Sequence, residues 1–155
     1  MGKSFRNSAS FGKRIEYYII GLMLKEGLDV YVPLVDDDAI DAVVKRPDGS
    51  FILAQIKARS NSNKIGNAAL FASLTHEIRE NYWFIFFSER MNMLWIMNSD
   101  EFVNESILLK SGINAGKRTI KFNFHRKDKA TNSVIETCNP KFEKYIAKDF
   151  HRLLE

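Results

Sequence analysis

Four residues stand out by type and spacing. Asp41 lies between Ile40 and Ala42 in IDAVV, and Gln55 and Lys57 lie two apart in AQIKA. The two runs, about 39–45 and 50–58, read as strands joined by the turn RPDG, which makes them a hairpin. Strand residues two apart face the same side, so Gln55 and Lys57 project together. The hairpin brings Asp41 alongside them, and a carboxylate, an amide and an ammonium converge on one face. Unpaired charge inside a sheet is costly, so such a cluster points to a polar centre that carries chemistry. Glu16, in FGKRIEYYI, is a fourth candidate, because it borders the apolar stripe of a predicted first helix and could be aimed at the hairpin.

An acid in a first helix, then Asp in a strand, then (Glu/Asp/Gln)-x-Lys in the next strand resembles the PD-(D/E)XK nuclease superfamily. That group includes type II restriction enzymes, Holliday junction resolvases and some group I intron homing endonucleases. The matching residues are Glu16, Asp41, Gln55 and Lys57, and the likeness covers about residues 11–85. It implies an α/β, restriction-endonuclease-like fold, with a central mixed β-sheet flanked by helices. It also implies a metal-dependent endodeoxyribonuclease that acts on double-stranded DNA as a homodimer or homotetramer. Asp41 would be the central Mg²⁺ ligand, with the Gln55 side-chain oxygen and the Ile56 carbonyl completing the protein share. Glu16 would hold a metal water or a second ion, and Lys57 would orient or deprotonate the attacking water.

Those residue types suit phosphodiester hydrolysis, which needs a nucleophilic water, relief of charge on the phosphoryl oxygens and help for the leaving 3′ oxygen. Mg²⁺ prefers a hard oxygen shell with one or two carboxylates, and Mn²⁺ is expected to substitute. One departure from the family pattern is Gln55, where most members carry an acid. Similar Gln-x-Lys variants occur among active members, including intron homing endonucleases, and they weaken the negative charge at the metal. Gln55 therefore keeps a second reading open, a nuclease-fold DNA-binding module without catalysis. A third is a subunit whose purpose is assembly.

The elements that must position these groups follow from periodicity. Residues 11–26 read as a helix with Ile15, Tyr18, Ile19, Leu22 and Met23 at helical spacing, and Gly27 as its stop. LDVYVPLV reads as a strand at about 28–34, at an edge or ending at Pro33. A helix is predicted over about 66–80 from Leu70, Phe71, Leu74 and Ile78. YWFIFFS, about 82–88, reads as a strand covered on both faces, and MLWIMN, about 93–98, as its partner. Ser99 could cap a short helix reaching about Leu109. RTIKFNF reads as a half-exposed strand that VIETC could pair with, and residues 139–155 as a closing amphipathic helix.

Composition narrows the function classes. The chain has 155 residues, 45% of them apolar and 27% charged, a usual size and make-up for one compact domain, 1–155. No apolar run reaches the ~18 residues needed to span a bilayer. The start of the chain has no apolar signal core, and Cys138 is the one cysteine, so a cytoplasmic setting is expected. The net charge of +4 hides a polarity: residues 1–14 carry +4, residues 110–129 carry +6 and residues 15–109 carry −6. Basic flanks around an acid-rich middle suit a protein that grips a polyanion at its periphery and cations at its centre. The expected DNA contacts are Lys13, the loop residues Arg59, Asn61, Asn63 and Lys64, and Lys117, Arg118, Lys121, Arg126, Lys127 and Lys129.

Other signals carry less. Asp36, Asp37 and Asp38 read as a solvated loop or a supplementary ligand set. His76–Glu77 begins a zinc-protease pattern that fails, since position 80 is Glu80 and not His. No Gly-rich phosphate loop is present, which argues against nucleoside-triphosphate chemistry. Trp83, Phe84, Phe86, Phe87 and Trp95 are expected in the core.

Overall fold

A computed structural model gives the structure of the chain and describes residues 8–35 and 37–155. Lys3 and Arg6 of the first basic segment, and Asp36 of the acidic run, lie outside the described residues. The architecture is mixed α/β. Helix α1 (Ser8–Lys25) leads into β1 (Asp29–Tyr31), β2 (Ala42–Lys45) and β3 (Phe51–Arg59). Then come β4 (Leu70–Leu74), β5 (Tyr82–Ser88), β6 (Met93–Asn98), helix α2 (Ser99–Glu105) and β7 (Ile107–Leu108). The chain closes with β8 (Arg118–Lys121), β9 (Asn123–Lys127), β10 (Val134–Cys138), a 3-10 helix (Pro140–Tyr145), β11 (Ile146–Ala147) and a 3-10 helix (His151–Leu154).

The central sheet has six strands in the order β1-β2-β3-β5-β6-β11. Only β3 and β5 run parallel, and the other pairs in it are antiparallel. A parallel neighbour needs a crossover, and residues 60–81 supply it. Two smaller sheets, β4-β8-β7 and the ribbon β10-β9, complete the strands. Every residue of β5 is buried, as expected for an apolar run covered on both faces.

Two apolar clusters sandwich the sheet. On one side Phe11, Ile15, Ile19 and Met23 of α1 pack on Ala42, Val44, Ile52, Ala54, Ile56, Ile85 and Phe87. On the other, Phe84, Phe86, Trp95 and Met97 pack against Phe71, Phe102, Phe122, Phe142 and Tyr145. The first helix and the strands β2, β3, β5 and β6 stand close to where the sequence puts them, and β1 ends before Pro33.

Four expectations are corrected. Residues 66–80 form no helix: Leu70–Leu74 is a strand paired with β8, and its register slips between Phe71 and Leu74. That irregularity puts Phe71 and Leu74 on the same apolar cluster three residues apart, a spacing that imitates a helical stripe. The predicted closing helix is also absent. Phe142 and Tyr145 belong to one cluster and Phe150 and Leu153 to the other, so β11 wraps the sheet edge between them. The strand expected at 118–124 breaks at Phe122, which is fully buried and donates its N–H to Ala69. Finally, Asn98 rather than Ser99 caps α2, in a reciprocal capping box with Glu101, and the helix ends at Glu105, where Ser106 turns extended and its N–H bonds the Phe102 carbonyl.

Candidate active site

Asp41 sits one residue ahead of β2, where that strand parts from β3. The ladder pairs Ala42 with Ala54, and the Asp41 N–H donates to the Ala54 carbonyl at 2.9 Å. The next β3 donor, the Ile56 N–H, is met by a side chain: Asp41 Oδ2 accepts it at 2.7 Å. A strand residue turns its N–H and C=O to the same edge, so the Ile56 carbonyl faces the side on which Asp41 stands. Asp41 is therefore a buried carboxylate fixed to the backbone, beside a main-chain oxygen.

Gln55 and Lys57 flank Ile56. Both are partly buried and project to the opposite face from Ala54 and Ile56, aligned with Phe84 and Phe86 of β5. The Gln55 amide lies 3.1 Å from the Tyr82 hydroxyl, which also reaches the Ala39 carbonyl. Ala39 has a left-handed backbone (φ 55°) and turns the chain into Asp41. Arg79 braces the same turn by donating to the Asp38 carbonyl at 2.8 Å, with its guanidinium over the Tyr82 ring.

Glu16 comes from the helix that covers the other face of the sheet. Its carboxylate pairs with Lys13 at 3.1 Å, and its side chain is 19% exposed. The hydrogen bond and charge of Glu16 push the Lys13 ammonium above its usual range, with a smaller contribution from Asp41. The structure brings Asp41, Ile56, Gln55 and Lys57 together on the β2–β3 pair, and holds Glu16 of α1 in an ion pair with Lys13. Among the described residues no group of three or more His, Cys, Asp or Glu side chains is assembled. Asp41, the Gln55 amide and the Ile56 carbonyl offer hard oxygen donors along one strand pair instead, the donor type that Mg²⁺ favours.

The loop after β3 is tied down. Arg90 donates to the carbonyls of Asn61 (3.0 Å), Asn63 (2.7 Å) and Lys64 (3.1 Å), and pairs with Glu136 at 2.8 Å. Burial works to raise the Glu136 carboxyl, but Arg90 and the N–H groups of Ala68 and Gly66 leave it lowered overall. The Asn61 and Lys64 side chains face solvent, whereas Asn63 donates to the Ser60 carbonyl. Arg59 is half-buried, and desolvation followed by the neighbouring Arg90 charge lowers its pKa.

The second basic region divides. Arg126, Lys127 and Lys129 are exposed on the β9–β10 ribbon and its turn, and Lys117 is half-buried. Lys121, one of the expected DNA contacts, is half-buried with its ammonium 3.0 Å from His125 Nδ1. Arg118 donates to the Val103 carbonyl at 3.0 Å and to Ser106, so its guanidinium closes the end of α2 instead of standing free for phosphate.

Tyr82, Arg79 and Arg90 escape the sequence reading. The signal for Tyr82 is a tyrosine opening the otherwise apolar run YWFIFFS, since a buried phenol needs a polar partner.

No protein-family model matches the sequence, and no curated protein matches it. Among solved structures, the chain is similar to a bacterial homing endonuclease, I-Ssp6803I, at 19% identity and a TM-score of 0.53. The match covers 91% of this chain and 89% of that one, so the likeness of fold spans nearly the whole molecule.

Proposed function

We propose that the protein is a metal-dependent endodeoxyribonuclease of PD-(D/E)XK type that hydrolyses phosphodiester bonds in double-stranded DNA. One observation carries this reading: a buried Asp41 fastened to the Ile56 N–H, at the point where Gln55 and Lys57 leave the same strand. Similarity of fold to a homing endonuclease supports it.

Asp41, the Gln55 side-chain oxygen and the Ile56 carbonyl would hold Mg²⁺, with Glu16 holding a water of its shell. The ion, when bound, supplies Lewis acidity and makes water a better nucleophile near neutral pH. Lys57 then orients or deprotonates the attacking water and offsets charge that develops on the phosphate. Asp41 needs no reorganisation to act, because its second oxygen is held by the backbone.

Lys13, Arg59, Asn61, Asn63, Lys64, Lys117, Lys121, Arg126, Lys127 and Lys129 would track the DNA backbone and groove edges. A two-stranded antiparallel ribbon such as β9–β10 fits a major groove. A symmetric dimer, or a tetramer built from such dimers, would set one site on each strand of the duplex. No described helix is long and apolar enough to cross a membrane.

The test is cleavage of supercoiled plasmid DNA by purified protein, with Mg²⁺ or with a chelator. Nicked and linear products in Mg²⁺ alone are expected. Retained DNA binding with no cleavage in Mg²⁺ or Mn²⁺ would establish the binding-module reading that Gln55 keeps open.

A further inference from the structure

The Tyr82 hydroxyl faces two groups, the Ala39 carbonyl at 2.5 Å and the Gln55 amide at 3.1 Å, placed with its oxygen toward the phenol. A phenol has one proton to give. A carbonyl can only accept, so Ala39 takes that proton. Gln55 must then meet the phenol oxygen with a donor, which is its Nε2. Amide oxygen and nitrogen are exchanged by a simple flip, and the hydrogen-bond partners decide between them. With the amide turned over, the phenol, the Ala39 carbonyl and Gln55 Nε2 each meet a compatible partner, and Oε1 is turned away from the phenol.

We propose that Tyr82 is a positioning residue, whose hydroxyl fixes the Gln55 amide with Nε2 inward and Oε1 presented to the metal. This rests on the metal site proposed above. An amide, unlike a carboxylate, has one end that binds a cation and one that repels it. A glutamine ligand therefore needs a partner that sets its direction, and Tyr82 is built to do so. Its side chain is almost fully buried, its ring is stacked on His76 at 5.1 Å, and the Arg79 guanidinium lies 4.3 Å away on the ring. The same hydroxyl grips the turn that delivers Asp41, so one phenol sets the relative placement of two metal-facing side chains.

The experiment is a double-mutant cycle of Tyr82→Phe and Gln55→Glu, read by calorimetric titration of Mn²⁺ without DNA. Phenylalanine keeps the ring packing and removes only the hydroxyl. Losing a partner that orients a metal ligand typically costs about 10–100-fold in affinity, and that loss is expected for Tyr82→Phe in the Gln55 protein. In the Gln55→Glu protein the carboxylate presents an oxygen either way, so Tyr82→Phe should cost far less. Loss of the Ala39 hydrogen bond is common to both backgrounds and cancels. In metal-free protein, the Gln55 side-chain amide protons should exchange faster with water once the hydroxyl is gone, as read by ¹⁵N NMR.

An equal loss in both backgrounds, or no loss and unchanged amide exchange, would overturn the positioning role while leaving the site intact. No Mn²⁺ binding by the wild type, or binding unaffected by Asp41→Asn, would instead bring down the metal site and this inference with it.

Discussion

The Asp41 carboxylate stands in for a main-chain carbonyl: its Oδ2 accepts the Ile56 N–H where β2 leaves β3. The bond joins the central carboxylate of the proposed site to the strand that carries Gln55 and Lys57, so fold and proposed site share one contact. Asp41→Asn keeps an acceptor for Ile56 and should unfold within about 1 kcal/mol of wild type, yet lose divalent-metal binding. Asp41→Ala leaves the Ile56 N–H without that acceptor and should cost about 1–3 kcal/mol as well. Urea melts and Mn²⁺ calorimetry on the two variants separate the effects. Unchanged metal binding in Asp41→Asn would move the site, with Asp37 and Asp38 next in line.

Gln55→Glu should fold, remain active and bind metal more tightly, because it adds a carboxylate to the hard-oxygen set. Metal titration and single-turnover cleavage measure this. A folded but inactive Gln55→Glu protein would assign the amide a different task, such as donating a hydrogen bond to phosphate or water.

Arg126, Lys127 and Lys129 are exposed on the ribbon and its turn and should supply affinity rather than chemistry. Each phosphate contact contributes ~0.9 to the slope of log K against log salt on duplex DNA. Replacing all three by alanine should flatten the slope by up to about 2.7. Cleavage at saturating protein should change far less. An unchanged slope would seat the duplex on the 59–64 loop instead.

His76 gives the fold a pH dependence. Ser99 Oγ accepts the Arg79 N–H at 2.9 Å and lies 2.7 Å from His76 Nε2, in a hydrogen bond whose direction the ring tautomer sets. Burial, then the charges of Arg79 and Arg118, lower its pKa from 6.5 to about 4. The unfolded chain takes up this proton more readily than the folded one. The His76 contribution is therefore complete above pH 6.5 and is lost as the pH falls toward 4. Thermal midpoints of wild type and His76→Gln should converge across that window. A constant gap between them would mean that His76 does not titrate there.

How much was legible in the sequence follows from where each partner lies. The β2–β3 hairpin is local, so the turn and the alternation of AQIKA put Gln55 and Lys57 on one face of β3, with Asp41 one residue ahead of β2 rather than inside it. YWFIFFS was legible because its burial on both faces shows as an unbroken apolar run. Residues 70–74 were misread because their partner, β8, lies far along the chain and a slipped register imitates helical spacing. Residues 142–153 were misread because one apparent stripe serves two clusters on opposite sides of the sheet. The link between Gln55 and Ala39 through Tyr82 was illegible for another reason: it depends on a single hydroxyl inside a strand that otherwise reads as core.

The most direct measurement is the single-turnover cleavage rate of duplex DNA by Lys57→Ala, taken beside its DNA affinity in the same buffer. Lys57 is one cation among many for phosphate binding, but the one lysine that leaves the strand beside Gln55 and the Asp41-capped Ile56. Cleavage should fall by about 10²–10⁴-fold, the usual worth of a positioned proton-transfer group, while DNA affinity stays within about 3-fold. Equal losses of cutting and binding, or cutting that survives intact, would contradict a catalytic centre at Asp41, Gln55 and Lys57.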